Sequence, residues 1–225
     1  LREGLRQLSD NIAHDLRTPL TRLRNNLASI ELDESGATRE QVAGLIEESD
    51  TLLATFNALL RIAQIESGNK RLAFAATDLA TILRDVCEFY EPLAAEKDQQ
   101  VRLELPAACA GVFDRDLLFQ AFANLLDNAI KYAPRGGHID VRLRDEASQH
   151  CVSVCDDGPG IPQTEREKVF QRFYRVEGSR SLHPGNGLGL SLVQAVINLH
   201  GGSVTLGDNS PGLCVSVSVP RTVAV

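Results

Sequence analysis

Between about Leu5 and Ile30 the apolar positions are Leu5, Leu8, Ile12, Leu16, Leu20, Leu23, Leu27 and Ile30. Steps of three and four residues make a coiled-coil-like seam along one helix. Asp33-Glu34-Ser35-Gly36 reads as a turn, and Thr38 with Gln41 forms a capping box for a second helix. That helix repeats the pattern through Val42, Leu45, Ile46, Leu52, Leu53, Phe56, Leu59 and Leu60, and Gly68 is a natural stop. Two amphipathic helices joined by a short turn make an antiparallel hairpin. Two helices alone cannot bury so much apolar stripe, so the hairpin is expected to pair with a second copy into a four-helix bundle.

After Asn69 the pattern changes. Helical stretches around residues 78–97, 115–132 and 188–200 alternate with strand-like runs at Val101–Leu105, His138–Arg144, Cys151–Cys155, Ser203–Leu206 and Leu213–Val219. This mixture predicts an α/β sandwich, a mixed sheet with helices on one face. The fold class is therefore α+β, with a helical hairpin over residues 1–67 and a sandwich domain over 72–225. The hinge falls between Ser67 and about Arg71.

Composition narrows the function classes. With 225 residues, 43% apolar and 24% charged, the chain has the make-up of a globular protein. A net charge of -7 argues against nucleic acid as a partner, because a phosphate-binding face needs excess Lys and Arg. No run approaches the roughly 20 apolar residues of a membrane span, and no signal peptide is visible, so no membrane contact is expected of this stretch. Five cysteines are scattered and odd in number, which predicts reduced structural thiols in a cytoplasmic setting. Cys151 and Cys155 fall on one face of a strand. The chain has no methionine and reads as a fragment of something longer.

His14 is the first chemical candidate. At about 100° per residue it lies roughly 200° round from the seam residue Ile12, on the solvent side. An exposed histidine on a helix is ordinarily a polar surface residue, but its neighbours are unusual. Asp15 is adjacent, and a carboxylate can hold the proton on one imidazole nitrogen and make the other more nucleophilic. Thr18 lies one turn on, with a hydroxyl able to position water. Pro19 lacks an N–H, so the helix should bend there.

A second set of candidates lies in the sandwich domain. Asn124 and Asn128 stand four apart on one helix, with Lys131 a turn further along. Carboxamide oxygens with a lysine suit a hydrated magnesium ion and a phosphate chain, although asparagines also serve as hydrogen-bond fillers. Asp156-Asp157-Gly158-Pro159-Gly160 follows a strand directly; Asp156 can accept from an exocyclic amine, and Gly158 and Gly160 let backbone approach a flat ring. Gly185-Asn186-Gly187-Leu188-Gly189 opens a helix, where free N–H groups and the dipole favour phosphate. The polar, breaker-rich stretch from Glu177 to Pro184 reads as a lid. A dinucleotide-binding reading fails, because no hydrophobic strand precedes these glycines and their spacing is Gly-x-Gly-x-Gly.

Ile12-Ala13-His14-Asp15-Leu16-Arg17-Thr18-Pro19-Leu20 resembles the H-box of sensor histidine kinases. The Asn124–Tyr132, Asp156–Gly160, Phe170–Arg175 and Gly185–Gly189 segments resemble, in order, the N, G1, F and G2 boxes of the ATP-binding domain that these kinases share with gyrase, the Hsp90 chaperones and MutL. The resemblance implies that His14 is the phosphoacceptor, Asp15 assists the transfer, and Thr18 serves dephosphorylation of the partner. It implies ATP and Mg2+, with Asn128 at the metal and Asn124 supporting it. Lys131 and Tyr132 would contact phosphates, Asp156 the adenine amino group, and Arg175, behind Phe170 and Phe173, the γ-phosphate. Gly185, Gly187, Leu188 and Gly189 would form the phosphate loop. It further implies a homodimer through the hairpin, a response-regulator receiver domain as partner, both kinase and phosphatase activity, and a cytoplasmic segment of a bacterial inner-membrane protein. One departure stands out: the family often carries a Thr beside the adenine where Leu213-Cys214 stands here.

Overall fold

The computed structural model describes residue 62, residues 73–176 and residues 186–221. The chain divides into two compact units, Leu1–Ser67 and Gly68–Val225. Apart from residue 62, the hairpin, its seam and the Ser67–Arg71 hinge lie outside the described residues, and so do His14, Asp15, Thr18, Gly185 and the expected lid from Glu177 to Pro184.

In chain order the second unit contains β1 (Phe74–Asp78), α1 (Leu79–Glu96), β2 (Gln100–Glu104), β3 (Ala110–Asp114), α2 (Arg115–Tyr132), β4 (His138–Asp145) and β5 (Gln149–Asp156). Two short 3-10 turns follow, Gln163–Glu165 and Lys168–Phe170, and then α3 (Gly189–Leu199), β6 (Ser203–Asp208) and β7 (Leu213–Pro220). A five-stranded sheet runs in the order β2-β4-β5-β7-β6. The β2–β4 pair is parallel and the other pairs are antiparallel, so the sheet is mixed, as the sequence predicts.

Period-two burial fixes which face of the sheet is covered. On β5, His150, Val152 and Val154 are buried while Cys151 and Ser153 are half-exposed. Helix α2 packs against α1, α3 and β5 through Leu118, Phe122, Leu125, Leu126 and Ile130, all nearly fully buried. Removing that apolar surface from water supplies roughly 25 cal/mol per Å².

Two strands escape the sequence pattern. β1 and β3 pair antiparallel as a separate ribbon, Phe74 opposite Asp114 and Asp78 opposite Ala110. Each strand ends in the aspartate that caps the next helix. Asp78 accepts from the Ala80 N–H and Asp114 from the Leu117 N–H.

The cysteines require a correction. Cys155 and Cys214 are directly opposed in the β5–β7 register, their Cα atoms are 4.0 Å apart, and their sulfurs are joined as a disulfide. Scattered positions in the sequence concealed this pairing, because only the strand register brings them together. Cys87, Cys109 and Cys151 are free thiols. Among the described residues no helix is long and apolar enough to cross a membrane.

Candidate functional site

Helix α2 presents Asn124 and Asn128, both half-buried, toward the first turn of α3. A Cβ added at Gly189 would stand 3.4 Å from Asn128 Nδ2 and 3.5 Å from Asn124 Oδ1. Asn124 is oriented by donating its amide N–H to the Gln120 carbonyl at 2.9 Å. The residue before α3, Leu188, offers no side-chain oxygen to cap its first N–H groups, although the Leu188 N–H itself donates to Asn186 Oδ1 at 3.2 Å. The two boxes the sequence reading singled out thus meet at one place.

The C-terminal end of α2 is held from below. Gln99 Nε2 donates to the carbonyls of Ile130 and Ala133, each at 3.0 Å, and Lys97 Nζ donates to the Ile130 carbonyl at 2.8 Å. These bonds satisfy last-turn carbonyls that lack helical partners and fix the backbone of Lys131 and Tyr132. Lys131 stands with its ammonium 6.0 Å from the Tyr132 ring. Partial burial lowers its pKa; Asp127, one turn back, opposes the shift, and the Arg175 charge adds to it. Arg175 is therefore near enough for its charge to act on Lys131.

Asp156 ends β5 and is buried. Its Oδ1 accepts from the Gly158 N–H at 2.8 Å and the Leu213 N–H at 3.4 Å. Burial pushes its pKa up, and these two bonds pull it back. Both hydrogen bonds that described residues give the carboxylate fall on Oδ1, so Oδ2 is left for another donor. Both glycines of this turn also lie close to the protein's own atoms. A Cβ at Gly158 would stand 2.7 Å from Asp156 Oδ1 and 2.9 Å from the Tyr132 carbonyl oxygen. Gly160 has φ +71°, and its Cβ would stand 2.9 Å from the Gly212 carbonyl oxygen.

Phe173, at φ 63°, donates its N–H to the Gly187 carbonyl at 2.9 Å. Gly187, at φ +69°, lies so close to Phe173 that a Cβ would stand 2.7 Å from the Phe173 carbonyl carbon. The Phe170–Arg175 segment and the glycine-rich segment before α3 are thus zipped together. His138 and Arg166 brace the other side: the His138 N–H donates to Asp157 Oδ2 at 2.8 Å, and Arg166 Nε to the Ile161 carbonyl at 3.1 Å, while its guanidinium pairs with Asp208.

Asn209 and Gly212 belong to this site and were missed by sequence reasoning. Asn209 Nδ2 donates to the Asp156 carbonyl at 2.9 Å, and a Cβ at Gly212 would fall 1.7 Å from that same oxygen. The available signal was the Asp208-Asn209-Ser210-Pro211-Gly212 turn itself. A neighbouring cleft, lined by Arg166, Phe170, Gln194 and Leu206 among others, shares Arg166 with this brace.

A sheet with three helices on one face and this set of loops defines a known class. Residues 113–223 match the family model described as "Histidine kinase-, DNA gyrase B-, and HSP90-like ATPase". Residues 5–68 match the "His Kinase A (phospho-acceptor) domain". The chain belongs to the sensor histidine kinases of two-component systems. It is 34% identical over 92% of its length to the sensor protein IrlS of Burkholderia pseudomallei, covering 45% of that protein. It is 34% identical over 97% of its length to the signal transduction histidine-protein kinase/phosphatase MprB of Mycolicibacterium smegmatis, covering 46% of it. Among solved structures it is similar to full-length ShkA in complex with AMPPNP, at 28% identity and a TM-score of 0.73, covering 98% of this chain and 46% of that one. The chain spans a little under half the length of these relatives.

Proposed function

We propose that this chain is the catalytic core of a sensor histidine kinase that transfers the γ-phosphoryl of ATP to His14 and then to an aspartate of a response-regulator receiver domain. The single observation carrying this reading is the meeting of α3's first turn, at Gly189, with the paired carboxamides of Asn124 and Asn128. Free N–H groups at a helix start and hard oxygen donors suit a triphosphate with its magnesium ion. The donor set fits Mg2+, which keeps most of its waters and needs only one or two protein oxygens; Asn128 would hold it and Asn124 would support Asn128. When bound, that ion neutralises charge on the phosphate chain.

The chain's own residues supply the rest. Asp156 accepts the adenine amine on Oδ2, its Oδ1 being already occupied. Lys131, Tyr132 and Arg175 lie toward the phosphates, and Gly187, Leu188 and Gly189, with Gly185, form the loop around them. Leu213-Cys214 stands where the family often has a Thr beside the adenine, so that hydroxyl is not offered to the base. Asp15 holds the proton of one His14 nitrogen while the other attacks phosphorus, and positioning supplies most of the acceleration. The MprB relative carries "kinase/phosphatase" in its name, which supports both activities here, with Thr18 serving the second. The hairpin of residues 1–67 makes the homodimer, and the longer protein would sit in the bacterial inner membrane with this segment in the cytoplasm.

Incubation with γ-labelled ATP and Mg2+ should yield an acid-labile, base-stable phosphoprotein. His14→Ala should abolish the label with nucleotide affinity retained; label persisting in that variant overturns the acceptor. Asn128→Ala should weaken Mg2+-dependent ATP binding, and Asp156→Ala binding of any adenine nucleotide.

A further inference from the structure

At the end of β5 opposite Asp156, Cys109, Asp145 and His150 bring a sulfur, a carboxylate oxygen and a ring nitrogen within 4.8 Å of one another. The phosphotransfer chemistry uses none of them. They come from three segments: Cys109 directly precedes β3, Asp145 closes β4, and His150, its register partner, opens β5. We propose that this cluster is a binding site for a borderline divalent transition-metal ion of the zinc type, held by Cys109 Sγ, His150 Nδ1 and Asp145 Oδ1 with water in the fourth position.

The ring geometry carries the argument. His150 is fully buried, and its Nε2 lies 3.2 Å from the Ala110 carbonyl oxygen, which can only accept. Nε2 therefore carries a hydrogen, and in that tautomer Nδ1 turns its lone pair toward the other two groups. Asp145 Oδ1 stands 2.8 Å and Cys109 Sγ 2.9 Å from that one nitrogen. A single hydrogen cannot lie along both contacts. A cation among the three donors satisfies all of them at once, and a histidine whose far N–H is tied to a backbone carbonyl is the usual arrangement for a metal ligand.

The donor set selects the metal. A thiolate with an imidazole and a carboxylate suits Zn2+ and disfavours Mg2+ and Ca2+, which take oxygen ligands. Metal–ligand bonds of about 2.0–2.3 Å at tetrahedral angles need donors roughly 3.3–3.6 Å apart, so the two contacts to Nδ1, at 2.8 and 2.9 Å, must each lengthen by less than about 1 Å. Entry is from the Asp145 side, since that side chain is 37% exposed. Arg221 donates to Asp145 Oδ1 at 2.7 Å and to the Glu146 carbonyl; a carboxylate can keep such an outer partner while binding metal.

A catalytic triad is the rival reading, and the geometry excludes it. In a relay the cysteine and the carboxylate take opposite ring nitrogens, whereas here both face Nδ1. Cys109 is also buried, so its sulfur is closed to an outside substrate. A bound ion would clip the β1–β3 ribbon to the main sheet and release the thiol proton to solvent on entry.

The test titrates the metal-free 225-residue chain with Co2+, followed by thiolate charge-transfer absorption, and then with Zn2+ against a chromophoric chelator. The expected result is one equivalent per chain with a cobalt–thiolate band and a rise in Tm with Zn2+. C109S should lose the band and the Tm rise, D145N should weaken Zn2+ binding at least tenfold, and C87S and C151S should leave both intact. Should C109S fail to fold, D145N changes an exposed carboxylate and decides alone. A wild-type chain without the cobalt–thiolate band, or D145N binding as tightly as wild type, overturns the site.

Discussion

Asn209 donates its side-chain amide to the backbone carbonyl of Asp156 at 2.9 Å, across 53 residues of chain. That bond anchors the β6–β7 turn to the end of β5, where the carboxylate at the floor of the site sits. The turn also delivers the Leu213 N–H to Asp156 Oδ1. Asn209→Ala should therefore cost about 1 kcal/mol of stability and loosen the carboxylate. The expected readout is a roughly three- to tenfold weaker ATP affinity by calorimetry, corresponding to about 0.7–1.4 kcal/mol. Unchanged affinity with lowered stability would make the bond purely structural.

Two glycines separate backbone strain from steric collision. Gly136 has φ +75° and nothing within 4 Å of the place a Cβ would take, whereas Gly212, at φ +117°, would put a Cβ 1.7 Å from the Asp156 carbonyl oxygen. Gly136→Ala should cost only the left-handed conformation, about 1 kcal/mol. Gly212→Ala must also move backbone at the site, so its cost should exceed about 2 kcal/mol and ATP binding should fall with it. Urea unfolding of both variants checks the order; equal costs would mean that the β6–β7 turn yields freely.

The three helices were legible because α1, α2 and α3 carry long apolar runs at helical spacing, and β4, β5 and β7 because they alternate. β1 and β3 were not. Phe74-Ala-Ala-Thr-Asp and Ala110-Gly-Val-Phe-Asp hold alanine and glycine, which favour no sheet, and they form only by pairing with each other. In the site, Asn124, Asn128, Asp156 and Gly189 were legible from motif order. Asn209 was legible only as part of a turn, since its target lies on a strand that sequence spacing cannot place beside it. The Cys155–Cys214 bridge, 59 residues apart in sequence, needed the β5–β7 register in the same way.

His200 should make stability fall in mild acid. It is fully buried after α3; its Nδ1–H donates to the Val196 carbonyl at 2.8 Å, and its Nε2 accepts from the Asp114 N–H at 3.1 Å. Burial lowers its pKa, against the opposing influence of the Val196 carbonyl and the Asp114 charge. The unfolded chain then binds the proton more tightly than the folded one. The contribution is complete above the unfolded value near 6.5 and is lost as pH falls from there toward the depressed folded value. The slope from this one group is at most about 1.4 kcal/mol per pH unit. Denaturant unfolding between pH 7.5 and 5.5 should show that loss, and His200→Gln should flatten it; a variant as pH-dependent as wild type would assign the slope to other groups.

Thr18 offers the sharpest separation of the two proposed activities. The sequence places it four residues after His14, one helical turn along the same face, with Pro19 immediately following. Hydrolysis of a regulator's phosphoaspartate needs a positioned water, which a hydroxyl beside the imidazole can orient. Autophosphorylation needs only the imidazole, Asp15 and the nucleotide. Thr18→Ala should therefore lower phosphatase activity at least tenfold while autophosphorylation stays within about twofold, a loss of about 1.4 kcal/mol or more in one barrier alone. The variant keeps Pro19 and the expected bend, so no collapse of the predicted helix is expected. A hydroxyl that only bonds the backbone around the proline would, when removed, lower both activities together. The measurement is the decay of phosphorylated regulator with wild-type and variant kinase, beside the rate of His14 labelling. Decay as fast with the variant as with wild type removes Thr18 from the phosphatase reaction.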